Sequence, residues 1–122
     1  MVRALTSLAI AVVFPLFLSS PVHAAPGSDP IPSMTEPATI SAGQITFNRN
    51  CVYCHGSAGV GGKGQPLQNR DDLTPEYLFT TITEGKKRGA LQMPAWRDAF
   101  TDRQVWELSA YILSLSTVNS KR

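Results

Sequence analysis

The stretch "NRNCVYCHGSAGVGGKG", residues 48–64, decides how this chain is read. It holds two cysteines, a histidine directly behind the second, and five glycines within the nine residues 56–64. Redox thiols, a zinc knuckle, a phosphate-binding loop and an attached prosthetic group all use residues of these kinds. The surrounding sequence separates them.

Cys51 and Cys54 are the only two cysteines. A thioredoxin-like pair expects a strand before its C-x-x-C and a helix after it, and no strand pattern precedes Cys51. Structural zinc takes four ligands, and Cys51, Cys54 and His55 supply three. A disulfide across so short a loop would add little to a small core. "GVGGKG", residues 59–64, matches G-x-G-x-x-G, but no strand leads into it, no helix opens from it, and Gly64 stands where a phosphate loop needs Ser or Thr.

What remains is the C-x-x-C-H attachment signal for haem c. On a helical turn, positions i and i+3 present two thiols to one porphyrin edge, where they add across its vinyl groups as thioethers. His55 follows and can place an imidazole nitrogen under the iron. The glycines behind it let the backbone turn tightly and approach the macrocycle.

The front of the chain reads as an export signal. Arg3 precedes Leu8–Leu18, 11 residues without a polar side chain, and then "SSPVHAAPG". Eleven helical residues reach only ~16 Å, short of a bilayer core of ~30 Å. We therefore expect residues 1–24 to be a cleaved signal peptide, with Ala25 first in the mature chain and the periplasm as its destination. His23 leaves with that segment, and 98 of the 122 residues remain. Ten basic side chains then face nine acidic ones, a balance that gives no support for nucleic-acid binding, which wants a concentrated basic face. A chain this small needs help to build a core, and a bound cofactor gives it.

Residues 25–40, with four prolines, read as a flexible arm, and residues 41–122 as the folded domain. A helix is expected from about Ser41 to the cysteine motif, with Gly43 placed for a close helix crossing. Thr74, Pro75, Glu76 and Gly85 bound a second helix. Thr101 and Gln104 form a capping box for a third, with Val105, Leu108, Ile112 and Leu115 at helical spacing. Nothing alternates as a strand would, so the expected fold class is all-α, three main helices and long loops.

Iron bound by His55 needs a sixth ligand. Without a second histidine, methionine is the natural donor. Met34 lies in the proline-rich arm, whereas Met93 lies in "GALQMPAW", between two helices and 38 residues beyond His55. Pro94 stiffens the next position. The sequence assigns no propionate contacts: Arg70 and Trp96 read first as a surface arginine and a core tryptophan, and otherwise as partners of those carboxylates. Lys86, Lys87 and Arg88 precede Met93 and read either as a steering patch for an acidic partner or as a solvated turn.

Taken in order, Gly43, Phe47, Cys51-Val52-Tyr53-Cys54-His55, Met93-Pro94 and Leu108-x-x-Tyr111-Ile112 resemble the class I monohaem cytochromes c over about residues 41–115. The resemblance implies one covalent haem wrapped by helices, with the first and last helices crossing at Gly43, Phe47, Leu108 and Tyr111. It also implies that Pro66 is the residue whose carbonyl accepts a hydrogen bond from the proximal His55. Two filled axial positions imply electron transfer to and from redox proteins rather than catalysis. The alternatives are a tightly bound cytochrome subunit of a dehydrogenase or oxidase, and, if Met93 is not a ligand, a haem sensor or peroxidase.

Overall fold

A computed structural model describes residues 30–117. The signal-peptide expectation for residues 1–24 lies outside the described residues. Four helices and one small hairpin follow in chain order: α1 Pro37–Asn50, α2 Val52–His55, α3 Pro75–Glu84, β1 Lys86–Arg88, β2 Leu91–Met93 and α4 Asp102–Thr117. A 3-10 turn, Ser57–Gly59, separates α2 from the long loop before α3. The three main helices are those expected from the sequence. No helix among the described residues is long and apolar enough to cross a membrane.

Helix α1 starts at Pro37, four residues before the expected Ser41, so residues 37–40, expected to belong to the proline-rich arm, are helical. Pro37 occupies the first turn, where a missing N–H leaves no hydrogen bond unmade and the fixed φ suits a helix. Buried Thr39, Gly43 and Phe47 recur every fourth residue and form the stripe that faces α4. Ile45 lies off that stripe and is exposed.

Gly43 is where α1 and α4 meet. A Cβ there would fall inside the van der Waals shell of the Glu107 carbonyl, so only glycine lets the backbones come this close. Nearby, the rings of Phe47 and Tyr111 pack with centroids 5.2 Å apart at 58°. Phe47, Val105, Leu108, Ile112 and Leu115 of α1 and α4 join Leu78 and Ile82 of α3 in the core.

The caps read from the sequence form. Thr74 Oγ1 accepts from the Tyr77 amide at 3.2 Å. At the start of α4, the Thr101 amide donates to Gln104 Oε1 at 2.9 Å and the Gln104 amide to Thr101 Oγ1 at 3.3 Å.

The hairpin is the element the sequence did not announce. Its antiparallel register pairs Lys86 with Met93, Lys87 with Gln92 and Arg88 with Leu91. Five of these six residues are exposed, so there was no buried face to impose alternation on the sequence.

Candidate functional site

Cys51 closes α1, its amide donating to the Phe47 carbonyl at 2.8 Å, and α2 then carries Cys54 and His55 on a single turn. Both cysteines are free, half-buried thiols. Burial, reinforced by the neighbouring Cys54, pushes the Cys51 thiol up to about 11, so it is protonated at neutral pH.

Gly56 turns the chain with φ +73° and ψ 166°, a region essentially reserved for glycine. The loop then folds back under the motif: the Gly61 amide donates to the His55 carbonyl at 2.7 Å, and the Gly64 amide to that of Cys54 at 2.8 Å. The glycine-rich run is thus a strap around α2. Its next helix, α3, opens only at Pro75, as the failed phosphate-loop match implied.

The strap fixes the imidazole. His55 Nδ1 lies 3.3 Å from the Gln65 carbonyl oxygen, so Nδ1–H donates there and Nε2 is left to bind a metal. The sequence expectation named Pro66. The Pro66 carbonyl instead accepts from Arg70 Nη1 at 3.4 Å. The difference is one residue of register, set by how the strap's glycines close.

Across the fold, Met93 ends β2, half-buried against the core. The Trp96 amide donates to the Ile82 carbonyl at 3.1 Å, and Arg97 pairs with Glu84, so the segment after Met93 is pinned to the last turn of α3.

Cys51, Cys54, His55 and Met93 line one cavity of about 460 Å³, within the size range of cofactor clefts. Phe47, Leu78, Ile82 and Leu108 supply its apolar depth. Arg70 and Trp96 also line it, as do Tyr53, Lys63, Tyr77 and Lys86. Lys63 donates to the Tyr53 hydroxyl and Lys86 to that of Tyr77, and the Lys86 bond holds the Tyr77 phenol below its usual range. Arg70 grips Asp72 through two N–H groups, which holds the Asp72 carboxyl below the usual carboxylate range.

The residues fit a haem. Two thiols, an imidazole and a thioether line one cavity with an apolar interior, and Lys63, Arg70 and Lys86 line it too, cations that would oppose two carboxylates. Gln65 and the two Lys–Tyr pairs escaped the sequence reading. Gln65 acts through its backbone, and each Lys–Tyr pair joins residues nine or ten positions apart across a turn, so no motif marks them.

Comparison with known proteins agrees with this geometry. The family model for cytochrome c oxidase, cbb3-type, subunit III matches residues 38–112. The cbb3-type cytochrome c oxidase subunit FixP of Sinorhizobium medicae is 37% identical over 93 residues, which cover 67% of this chain and 32% of that protein. The chain thus spans about a third of the length of the FixP relatives it matches. Cytochrome c6 of Leptolyngbya boryana is 33% identical over 82 residues, 62% of this chain and 92% of that one.

Among solved structures, cytochrome cL of Methylophaga aminisulfidivorans superposes with a TM-score of 0.57 at 28% identity, covering 66% of this chain and 55% of the other. The c-type cytochrome XoxG of Methylobacterium extorquens shares the fold, with a TM-score of 0.58 at 22% identity over 64% of this chain and 50% of its own. The chain belongs to the cytochrome c family, in the group described as cytochrome c oxidase, cbb3-type, subunit III, and its cofactor is haem c.

Proposed function

We propose that this chain is a periplasmic single-electron carrier, holding one haem through thioether bonds at Cys51 and Cys54, with His55 and Met93 as its axial ligands. The observation that carries the reading is the shared cavity: the C-x-x-C-H turn and Met93, 38 residues apart, line the same apolar space.

When bound, the haem supplies an iron that exchanges one electron between ferrous and ferric states. The rest belongs to the protein. Gln65 holds the His55 proton on Nδ1 and so raises the basicity of Nε2. The Met93 thioether favours the ferrous state and raises the potential. Phe47, Leu78, Ile82 and Leu108 keep water out, so little solvent reorganises as charge moves. With His55 and Met93 both holding the iron, no open position would be left on it for a substrate.

The partners are redox proteins that meet the cavity mouth briefly, in interfaces of the small class. Lys86, Lys87 and Arg88 form one exposed strand, and Lys63 lines the same cavity, which supports docking to acidic surfaces. Periplasmic location rests on the layout of residues 1–24. The match to oxidase subunits favours a second reading, a cytochrome held in an oxidase complex, and co-elution with other subunits from the native source would identify it.

The ferric holoprotein is expected to show a near-infrared charge-transfer band from bound methionine sulfur, absent in Met93→Ala. A folded wild type without the band, binding carbon monoxide rapidly when reduced, would overturn Met93 ligation and favour a sensor or peroxidase.

A further inference from the structure

The end of α3 and the segment carrying Met93 face each other residue by residue. Ile82 O accepts from the Trp96 amide, Glu84 pairs with Arg97, and Lys86 stands opposite Met93 in the hairpin. Gly85 sits at the centre of this seam with φ +73° and ψ 177°, a backbone region essentially limited to glycine. A Cβ on Gly85 would lie 2.6 Å from the Met93 carbonyl oxygen, 2.8 Å from the Pro94 carbonyl carbon and 2.8 Å from the Ala95 amide nitrogen. No side chain of any kind fits there without moving the Met93–Ala95 backbone.

We propose that Gly85 is a positioning residue for Met93: the bare end of α3 serves as the stop against which the Met93–Ala95 main chain is seated. Leu78 and Ile82 anchor α3 in the core, each 4% exposed, so the stop is rigid. The hairpin on the other side is exposed and is tied to α3 at its surface, through the Lys86–Tyr77 hydrogen bond. The reach of Met93 into the cavity is therefore set by α3, not by the turn that delivers it. This rests on the reading of Met93 as the axial ligand, and it assigns the ligand's placement to a residue that touches neither iron nor haem.

The test compares Gly85→Ala with Gly89→Ala in the holoprotein. Gly89 also has a positive φ, +59°, but a Cβ there meets nothing within 4 Å, so it controls for strain in a turn without the clash. Three readouts are taken: the near-infrared band, carbon monoxide binding by the ferrous form, and hydrogen-exchange protection of the Trp96 amide. In Gly85→Ala we expect the band to fade, carbon monoxide to bind faster by about tenfold as the seated population falls, and Trp96 protection to drop. Gly89→Ala should match the wild type in all three.

Unchanged Trp96 protection and band in Gly85→Ala, or equal losses in Gly89→Ala, would overturn the proposal. A wild type lacking the band while Trp96 protection still falls in Gly85→Ala would sink the ligand reading and keep the stop. If Gly85→Ala does not fold, Pro94→Gly decides, because it leaves the end of α3 intact. The band survives there if α3 seats Met93, and is lost if the proline ring does.

Discussion

From Cys51 to Leu67, the His55 side of the cavity is tied by hydrogen bonds between near neighbours in sequence: His55 N to Cys51 O, Gly61 N to His55 O, Gly64 N to Cys54 O and Leu67 N to Gly59 O. On the Met93 side the hairpin pairing of Met93 with Lys86 is local, but the segment that follows is held by the end of α3: one backbone bond from Trp96, the Arg97–Glu84 pair and the close approach at Gly85. One side is built by its own strap, whereas the other is borrowed from a helix. Local segments can form their geometry as soon as the chain bends, but a borrowed wall exists only once the core has formed. The Met93 side is therefore expected to open at lower denaturant than the His55 side, which hydrogen exchange at the Trp96 and Gly64 amides would read.

The largest expected effect tests the core beneath both walls. Phe47 is fully buried, with its ring centroid 6.5 Å from that of His55. Phe47→Ala should cost about 3–5 kcal/mol in urea unfolding. A loss below about 1 kcal/mol would mean that the strap supports His55 without α1.

Gly64→Ala sharpens the comparison on the His55 side. Its Cβ would lie 2.9 Å from His55 Cε1 and 3.0 Å from Nδ1, crowding the ring without demanding an unusual φ. We expect about 1–3 kcal/mol of destabilisation. The His55 ring resonances should also shift in NMR spectra, and unmoved resonances would show that the strap yields instead.

Arg97→Gln probes the opposite side. Both partners of its ion pair with Glu84 are about half exposed, so the expected loss is only about 0.2–1 kcal/mol and should vanish at high salt. A larger loss that survives salt would mean that the pair, rather than Gly85, secures the segment.

The smallest effect on stability is expected from replacing Lys86, Lys87 and Arg88 together with glutamine. All three are exposed and none forms an ion pair among the described residues, and the one hydrogen bond at stake, from Lys86 to the Tyr77 hydroxyl, lies at the surface where water replaces it at little cost. Unfolding should be unchanged while the salt dependence of electron exchange with anionic hexacyanoferrate flattens. An unaltered salt dependence would remove the hairpin from the docking surface.

The same local-versus-borrowed contrast explains what the sequence revealed. Cys51, Cys54 and His55 are legible because one helical turn presents them together, and Val105, Leu108, Ile112 and Leu115 because a single helix face repeats. Met93 was reachable by elimination among few donors. The hairpin was hidden because its residues face water and carry no pattern of burial. The start of α1 was masked by prolines, although Pro37 itself stands at its first turn. The Gln65 contact depends on how the strap closes, a backbone property that side-chain identities do not encode.

The crossing at Gly43 and Glu107 has a kinetic consequence. These residues lie 64 positions apart, and the helices that carry them are the first and last of the described residues. Their docking must close a long loop before any burial rewards it, so the contact belongs to the slow, high-contact-order part of folding. Until α4 arrives, the Thr39–Gly43–Phe47 stripe of α1 has no partner. A chain stalled at that stage leaves the Phe47 ring uncovered, so slower arrival of α4 would lengthen the time it is open to association with other chains.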